Sequence, residues 1–319
     1  MGFSPLASHQ PVLHRCVAAD ARNAEVLFPY LNGEDLNSRP DSSASRWVID
    51  FNDRPQQDAE SYQLPYARVQ EAVKPERQRL KPDGTYALRR PLPERWWQYG
   101  EKRPAMRRAI NPLPEVLVIA LVSKTVMPMR VPAAQVFSHM LAVFATDDYG
   151  DQAVLSSSLH QLWAITYGST LETRVRYTPS DVFDTFPRPP GSDRLAAIGR
   201  TLDQERRAIM LRRDLGLTKL YNLVNDPAVS TDPDVVRLRE LHVEVDEAVL
   251  ASYGWSDVSS GHGFHTFRQL ERWGPSATAR TELLDRLLVE NRDRAGAITT
   301  MTHPQRANPV PIKEGTLFD

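Results

Sequence analysis

The feature that most constrains this chain is a break in pattern at Phe186-Pro187-Arg188-Pro189-Pro190-Gly191. Each proline removes a backbone donor and pushes the residue before it away from helical dihedrals, so no helix or central strand runs through the segment. Upstream, short apolar runs alternate with turn signals. Arg46-Trp47-Val48-Ile49-Asp50-Phe51 and Leu117 to Val122 read as strands, and Val126 to Val131 and Gln135 to Phe144 continue a β-rich pattern with His139 at a turn. Downstream, Ser192 to Leu215, Asp232 to Tyr253 and Ala277 to Arg294 carry apolar residues at helical spacing. Ser192 suits an N-cap, with Asp193 favouring the positive helix end, and Asp232-Pro233 suits an N-cap followed by the first helical residue. The expected fold class is therefore α+β. A mixed α/β domain covers 22–190 and a helical bundle covers 191–295, with 1–21 unassigned and 296–319 as a tail.

Several function classes are excluded early. The lone Cys16 permits no intramolecular disulfide framework and no multi-cysteine zinc site, and it fits a reducing cytoplasm. No apolar run approaches the roughly 18 residues of a membrane helix, and no hydrophobic signal segment opens the chain. The expectation is a cytoplasmic protein without a membrane partner. The net charge of −1 hides an asymmetry: residues 1–65 carry five Arg and Lys against nine Asp and Glu, whereas residues 66–130 carry fourteen against six. A local basic excess of that size attracts phosphate.

Within the basic region, Ala59 to Lys74 reads as a helix ending near Pro75, followed by a proline-punctuated stretch from Glu76 to Pro93. Glu94-Arg95-Trp96-Trp97-Gln98-Tyr99 then leads into Lys102-Arg103-Pro104. Cations interleaved with aromatics can track a phosphate backbone and stack on bases, although paired tryptophans equally suit a core. Ala153 to Tyr167 has helical spacing, with Leu155, Leu159, Leu162, Trp163 and Ile165 as its core stripe. Ser156, Ser157, Ser158 and His160 sit beside that stripe. A hydrolase is disfavoured there because no Gly-x-Ser-x-Gly elbow is present, and a local hydrogen bond suits His160 better.

Leu171-Glu172-Thr173-Arg174-Val175-Arg176-Tyr177 reads as one strand with two distinct faces. Leu171, Thr173, Val175 and Tyr177 suit the half-buried face, and Glu172, Arg174 and Arg176 share the other. Arg can bond two guanine acceptors at once and Glu can accept from the cytosine amino group, so such a face can read base edges. The alternative is an exposed strand carrying a cross-strand ion pair. Gly261-His262-Gly263-Phe264-His265 lacks the preceding strand of a nucleotide loop and the carboxylate of a zinc site, and Asn111-Pro112-Leu113-Pro114 is not an adenine-holding Asn-Pro-Pro-aromatic signature.

Taken in order, these segments resemble MmeI-like proteins, fused restriction–modification enzymes and related adenine-specific DNA methyltransferases that occur in phage defence. The resemblance is carried by Asn32-Gly33-Glu34-Asp35-Leu36-Asn37-Ser38-Arg39-Pro40 with Arg46-Trp47-Val48-Ile49, and by Trp96-Trp97-Gln98-Tyr99 to Arg103-Pro104. It continues through Val122-Ser123-Lys124-Thr125, Ser157-Ser158-Leu159-His160 to Gly168-Ser169, and Tyr177-Thr178-Pro179-Ser180-Asp181 to Phe186-Pro187. Gly263-Phe264 and Leu283 to Leu288 look like the family's C-terminal helical region, so the likeness spans about Arg22 to Arg294.

The resemblance implies a target recognition domain whose base-reading residues fall on Glu172, Arg174 and Arg176. Lys124, Arg130, Arg103, Ser157, Ser158 and His160 would contact or position the DNA backbone. The implied partners are double-stranded DNA and a methyltransferase domain or subunit. S-adenosylmethionine would belong to that other domain, because no glycine-rich methyl-donor loop and no Pro-Pro-Tyr motif occurs here. The expected chain is thus a split subunit, an excised piece or the product of an interrupted gene, with no catalysis or cofactor of its own. The rival readings are a non-catalytic protein-interaction subunit, a truncated remnant of such an enzyme, and a nuclease or hydrolase in its own right.

Overall fold

The computed structural model describes residues 10–171, 174–267 and 270–302. Its centre is the Glu115–Ala120 strand, whose residues from Val116 to Ala120 are all buried, as an uninterrupted apolar run requires. Met129–Pro132 and Leu141–Phe144 flank it, both antiparallel, with Leu117 opposite Arg130 on one side and Phe144 on the other. A second sheet places Leu27–Leu31 between Arg46–Ile49, antiparallel, and Val136–Phe137, parallel.

A smaller core lies beside this second sheet, formed by residues such as Leu27, Ile49, Phe51, Tyr66, Val69 and Trp96. Trp96 is buried there, and Trp97 packs against the same core, donating its indole N–H to the Arg54 carbonyl at 3.0 Å. The tryptophan pair therefore serves packing. The helix expected over Ala59 to Lys74 is instead three pieces, Gln56–Glu60, Gln63–Ala72 and Lys74–Arg77. Pro65 and Pro75 each fall in a first turn, where a missing N–H is tolerated, so each proline opens a new helix.

The helix expected over Ala153 to Tyr167 likewise divides, into Tyr149–Ser156 and Ser158–Tyr167. Ser157 has extended dihedrals and its hydroxyl accepts from the His160 amide at 3.2 Å. A serine that caps one helix ends the preceding one.

Beyond Gly191 lie the helices Asp193–Arg213, Leu217–Val224, Pro233–Tyr253 and Ala277–Thr302, with Ser192 and Asp232 as the expected N-caps. Two elements were not anticipated: the Leu217–Val224 helix, and a hairpin pairing Gly263–Phe267 with Leu270–Gly274. The architecture changes at the proline cluster but the core does not divide there. Leu195, Leu202 and Ile209 belong to the same apolar cluster as Leu117, Leu155 and Leu159.

Polar contacts reinforce this union. Gln152 donates to Asp203 at 2.9 Å, and Arg206, with no exposed surface, donates to the Pro128 carbonyl at 2.8 Å. The Asp193–Arg213 helix comes so near the Tyr149–Ser156 helix that a Cβ on Gly199 would stand 1.9 Å from the Tyr149 carbonyl oxygen. Only glycine permits that backbone approach.

Candidate nucleic-acid interface

The stretch from Leu171 to Tyr177 is not one strand. Ser169–Leu171 and Arg174–Arg176 are antiparallel partners, with Leu171 opposite Arg174 and Ser169 opposite Arg176. Arg174–Arg176 is the middle strand of a three-stranded sheet completed by Val122–Ser123, where Val122 opposes Arg176. Alternation alone does not reveal a chain reversal, and Glu172-Thr173 lacks the Gly, Asn or Pro that marks a turn. Glu172 lies outside the described residues, and Arg174 is described through its backbone.

The two faces of the middle strand differ as its pattern predicts. Val175 and Tyr177 are buried, whereas the Arg176 side chain is exposed. Among the described residues the Arg176 guanidinium has no hydrogen-bond or ion-pair partner. Gly168 delivers the chain from the Ser158–Tyr167 helix into this sheet, and a Cβ there would meet the Ala164 carbonyl oxygen at 2.4 Å and the Arg176 carbonyl oxygen at 3.1 Å.

The sheet is anchored from behind by His160. Its Nδ1 donates to the Leu155 carbonyl at 2.7 Å, which leaves Nε2 to accept from the Tyr177 hydroxyl at 3.0 Å. Burial pulls the His160 pKa down to about 4, with the Leu155 carbonyl opposing that shift, so the ring is neutral near pH 7. Three of the residues expected to contact or position the DNA backbone are enclosed, with partners inside the protein. His160 holds Tyr177. Ser157, also fully buried, donates to the Val154 carbonyl at 2.7 Å while capping the next helix. Arg130 is buried with its guanidinium over the Tyr149 ring at 3.9 Å, donating to Gln152 at 3.2 Å and to the Asp147 carbonyl at 2.9 Å. None of the three is available to a phosphate, because packing against the neighbouring helices encloses each one. Ser158 is half-buried, and its amide donates to Asp246 at 2.7 Å.

Lys124 and Arg103 stay at the surface. Lys124 is exposed directly after the Val122–Ser123 strand, beside the face that carries Arg176. Its carbonyl accepts from Arg272 Nη1 at 2.9 Å, which brings the hairpin of the C-terminal region against the same loop. Arg272 was missed because five-residue strands separated from the other β-rich segments give little periodic signal. Arg103 lies on another element, preceding the Pro104–Ile110 helix in a left-handed conformation with φ of 48°. The His262–Asp246 contact of 2.9 Å joins the Pro233–Tyr253 helix to the segment before the hairpin. Among the described residues no group of three or more His, Cys, Asp or Glu could hold a metal ion.

A family model for the MmeI target recognition domain matches residues 11–190, more than half of the chain. The chain belongs to that family. Among solved structures, the Type IIL restriction-modification enzyme MmeI in complex with DNA superposes with a TM-score of 0.60 at 16% sequence identity. The match covers 91% of this chain and 34% of the MmeI chain, so this chain spans about a third of that enzyme's length. At this identity the likeness establishes the fold, including the helical C-terminal part beyond the family match. No curated protein matches. Among the described residues no helix is long and apolar enough to cross a membrane.

Proposed function

We propose that this chain recognises a specific double-stranded DNA sequence on behalf of an adenine-specific, S-adenosylmethionine-dependent methyltransferase of a restriction–modification or phage-defence system. The methyl-donor site and the adenine would belong to a domain or subunit outside this chain, and the setting would be the cytoplasm. The observation that carries the reading is the exposed Arg176 side chain on the middle strand of a small sheet, free of partners among the described residues.

A β-ribbon fits the major groove, where a guanidinium spans the O6 and N7 acceptors of guanine. Arg176 reads bases in this proposal, and Arg174 of the same strand contributes beside it; Glu172, expected to share this role, lies outside the described residues. Lys124 follows the strand paired with Arg176 and accepts from Arg272 through its carbonyl, and Lys124 supplies a phosphate contact that fixes register without reading sequence.

The two kinds of contact make different predictions. Selection of bound duplexes from a random pool supplies a preferred site, and competition binding against a scrambled duplex then tests each residue. Arg176→Ala is expected to lose about 1–3 kcal/mol of discrimination at one base pair while non-specific binding changes little. Lys124→Ala is expected to weaken binding to every sequence alike and to reduce the slope of log K against log salt by about one. An Arg176→Ala chain that keeps the wild-type ratio of preferred to scrambled binding removes this strand from the recognition surface.

A further inference from the structure

A cleft of about 960 Å³ opens between the Leu27–Leu31 strand, the segment from Leu88 to Arg107 and the Val136–Phe137 strand with its flanks. Its lining carries Arg77, Arg89, Arg90, Lys102, Arg103 and Arg107 against one acid, Glu101. Most of these cations are matched locally. Arg107 bonds Asp50 and Asn52, Lys102 bonds Asp53, Arg90 pairs with Glu94 and Arg89 with Glu101.

Two are not matched. Arg77 is half-buried, and among the described residues its guanidinium bonds only the Gln98 carbonyl, at 3.3 Å, with no carboxylate paired with it. Burial lowers its pKa from the ordinary value, with only the Tyr99 phenol opposing that shift. Arg103 is also half-buried, and among the described residues its side chain has no hydrogen-bond or ion-pair partner. Partly dehydrated cations without a counter-charge are unfavourable, and an anion entering the cleft relieves both.

The remaining lining defines the rest of such a ligand. Phe28, Tyr30 and Tyr99 offer aromatic surface, and Leu92, Met106 and Phe137 add apolar surface. The volume lies within the range of small-molecule and cofactor pockets. We propose that the cleft binds one phosphorylated nucleoside, with its phosphate between Arg77 and Arg103 and its base against the aromatic wall. Guanidinium forks match phosphate oxygens, and every base has a face that stacks on an aromatic ring.

The nucleotide has two possible sources, a free mononucleotide or an unpaired residue of a DNA strand. The second is within reach of the recognition sheet. His139 lines the cleft, and the next residue, Met140, accepts through its carbonyl from the Leu121 amide at 2.9 Å, while the Leu121 carbonyl accepts from Tyr177 at 2.7 Å. The site deepens the DNA reading at Arg103 and does not require Arg176 to read bases.

Titration calorimetry on the full chain tests it with three probes: inorganic phosphate, deoxyadenosine 5′-monophosphate and a short single-stranded oligonucleotide. The expected order has the mononucleotide or the oligonucleotide binding well above phosphate. Arg103→Glu and Arg77→Gln should each reduce that affinity roughly tenfold or more, because each removes a charge-assisted contact. Thermal melting of the same variants keeps loss of binding separate from loss of folding. Variant-sensitive mononucleotide binding assigns a free nucleotide, and variant-sensitive binding of the oligonucleotide alone assigns a strand. Base reading at Arg176 is measured separately, by the ratio of preferred to scrambled duplex binding, so a failure of base reading and a failure of this site remain distinguishable. Equal affinities in wild type and both folded variants, or no preference of the wild type for either nucleotide probe over phosphate, overturn the proposal.

Discussion

Gly199→Ala should destabilise the chain by about 3 kcal/mol or more, at the upper end of what overpacking does. An exposed glycine-to-alanine change in a helix normally stabilises by up to about 1 kcal/mol. Here the added methyl would stand 1.9 Å from the Tyr149 carbonyl oxygen and 3.2 Å from the Ala153 amide nitrogen. Those are backbone atoms of a facing helix and no rotamer relieves them. The Asp193–Arg213 helix must move outward, which disturbs the Gln152–Asp203 bond and the buried Arg206 contact with Pro128. For a chain of this length the loss corresponds to a fall in Tm of roughly 5 °C. Thermal melting measures it, with Gly274→Ala as control because a Cβ there meets nothing within 4 Å. If both variants melt with the wild type, the close helix approach is not what joins the two halves.

The second large effect concerns acid. His160 and His242 are both fully enclosed and neutral, each with its pKa pulled by burial from 6.5 to about 4. His242 lies 2.7 Å from the Tyr221 hydroxyl, with Asp246 raising its pKa and Arg206 and His262 lowering it. In the unfolded chain each ring takes its proton near pH 6.5, whereas in the folded chain it does so only near pH 4. The unfolded state therefore binds more protons in this window, and stability falls as pH falls from about 6.5 to about 4, with no further loss from these groups below. Two such groups together amount to a loss on the order of 5 kcal/mol, comparable to the whole stability of a marginal domain. Urea unfolding at pH 7.5, 5.5 and 4.5 should show the decline. His160→Gln should flatten it by about one proton while lowering stability at pH 7.5. A wild-type stability unchanged between pH 7.5 and 5 would contradict the burial of both rings.

The sequence exposes the parts of this fold that local chemistry dictates. The Ser192 and Asp232 caps, the apolar run at Val116 to Ala120 and the architectural change at Pro187 to Gly191 are each written within a few neighbouring residues. The misses lie where the decision is tertiary. The reversal between Leu171 and Arg174 has no turn residue to announce it, and Ser157 divides a helix whose apolar stripe runs on regardless. The candidate interface was legible only in part for the same reason. Arg130 and Lys124 look alike as basic residues flanking apolar runs, and only the packing of Tyr149 and Gln152 shows that one is enclosed and the other is not. That Arg77 and Arg103 line one cleft depends on how the chain between them folds back, which no spacing rule foretells.

The middle strand of the small sheet has one further consequence. Val175 and Tyr177 hold it in place from one side, through the apolar core and the His160 ring, while Arg176 is exposed and makes no hydrogen bond or ion pair among the described residues. Substitutions at such an unencumbered surface position usually change folding stability by less than about 0.5 kcal/mol. With Arg176 reading bases as proposed, preference and foldability are uncoupled at that residue. On that proposal, a lineage carrying this scaffold could explore new targets there one replacement at a time without passing through misfolded intermediates, whereas drift at Tyr177 or His160 is penalised by the fold itself.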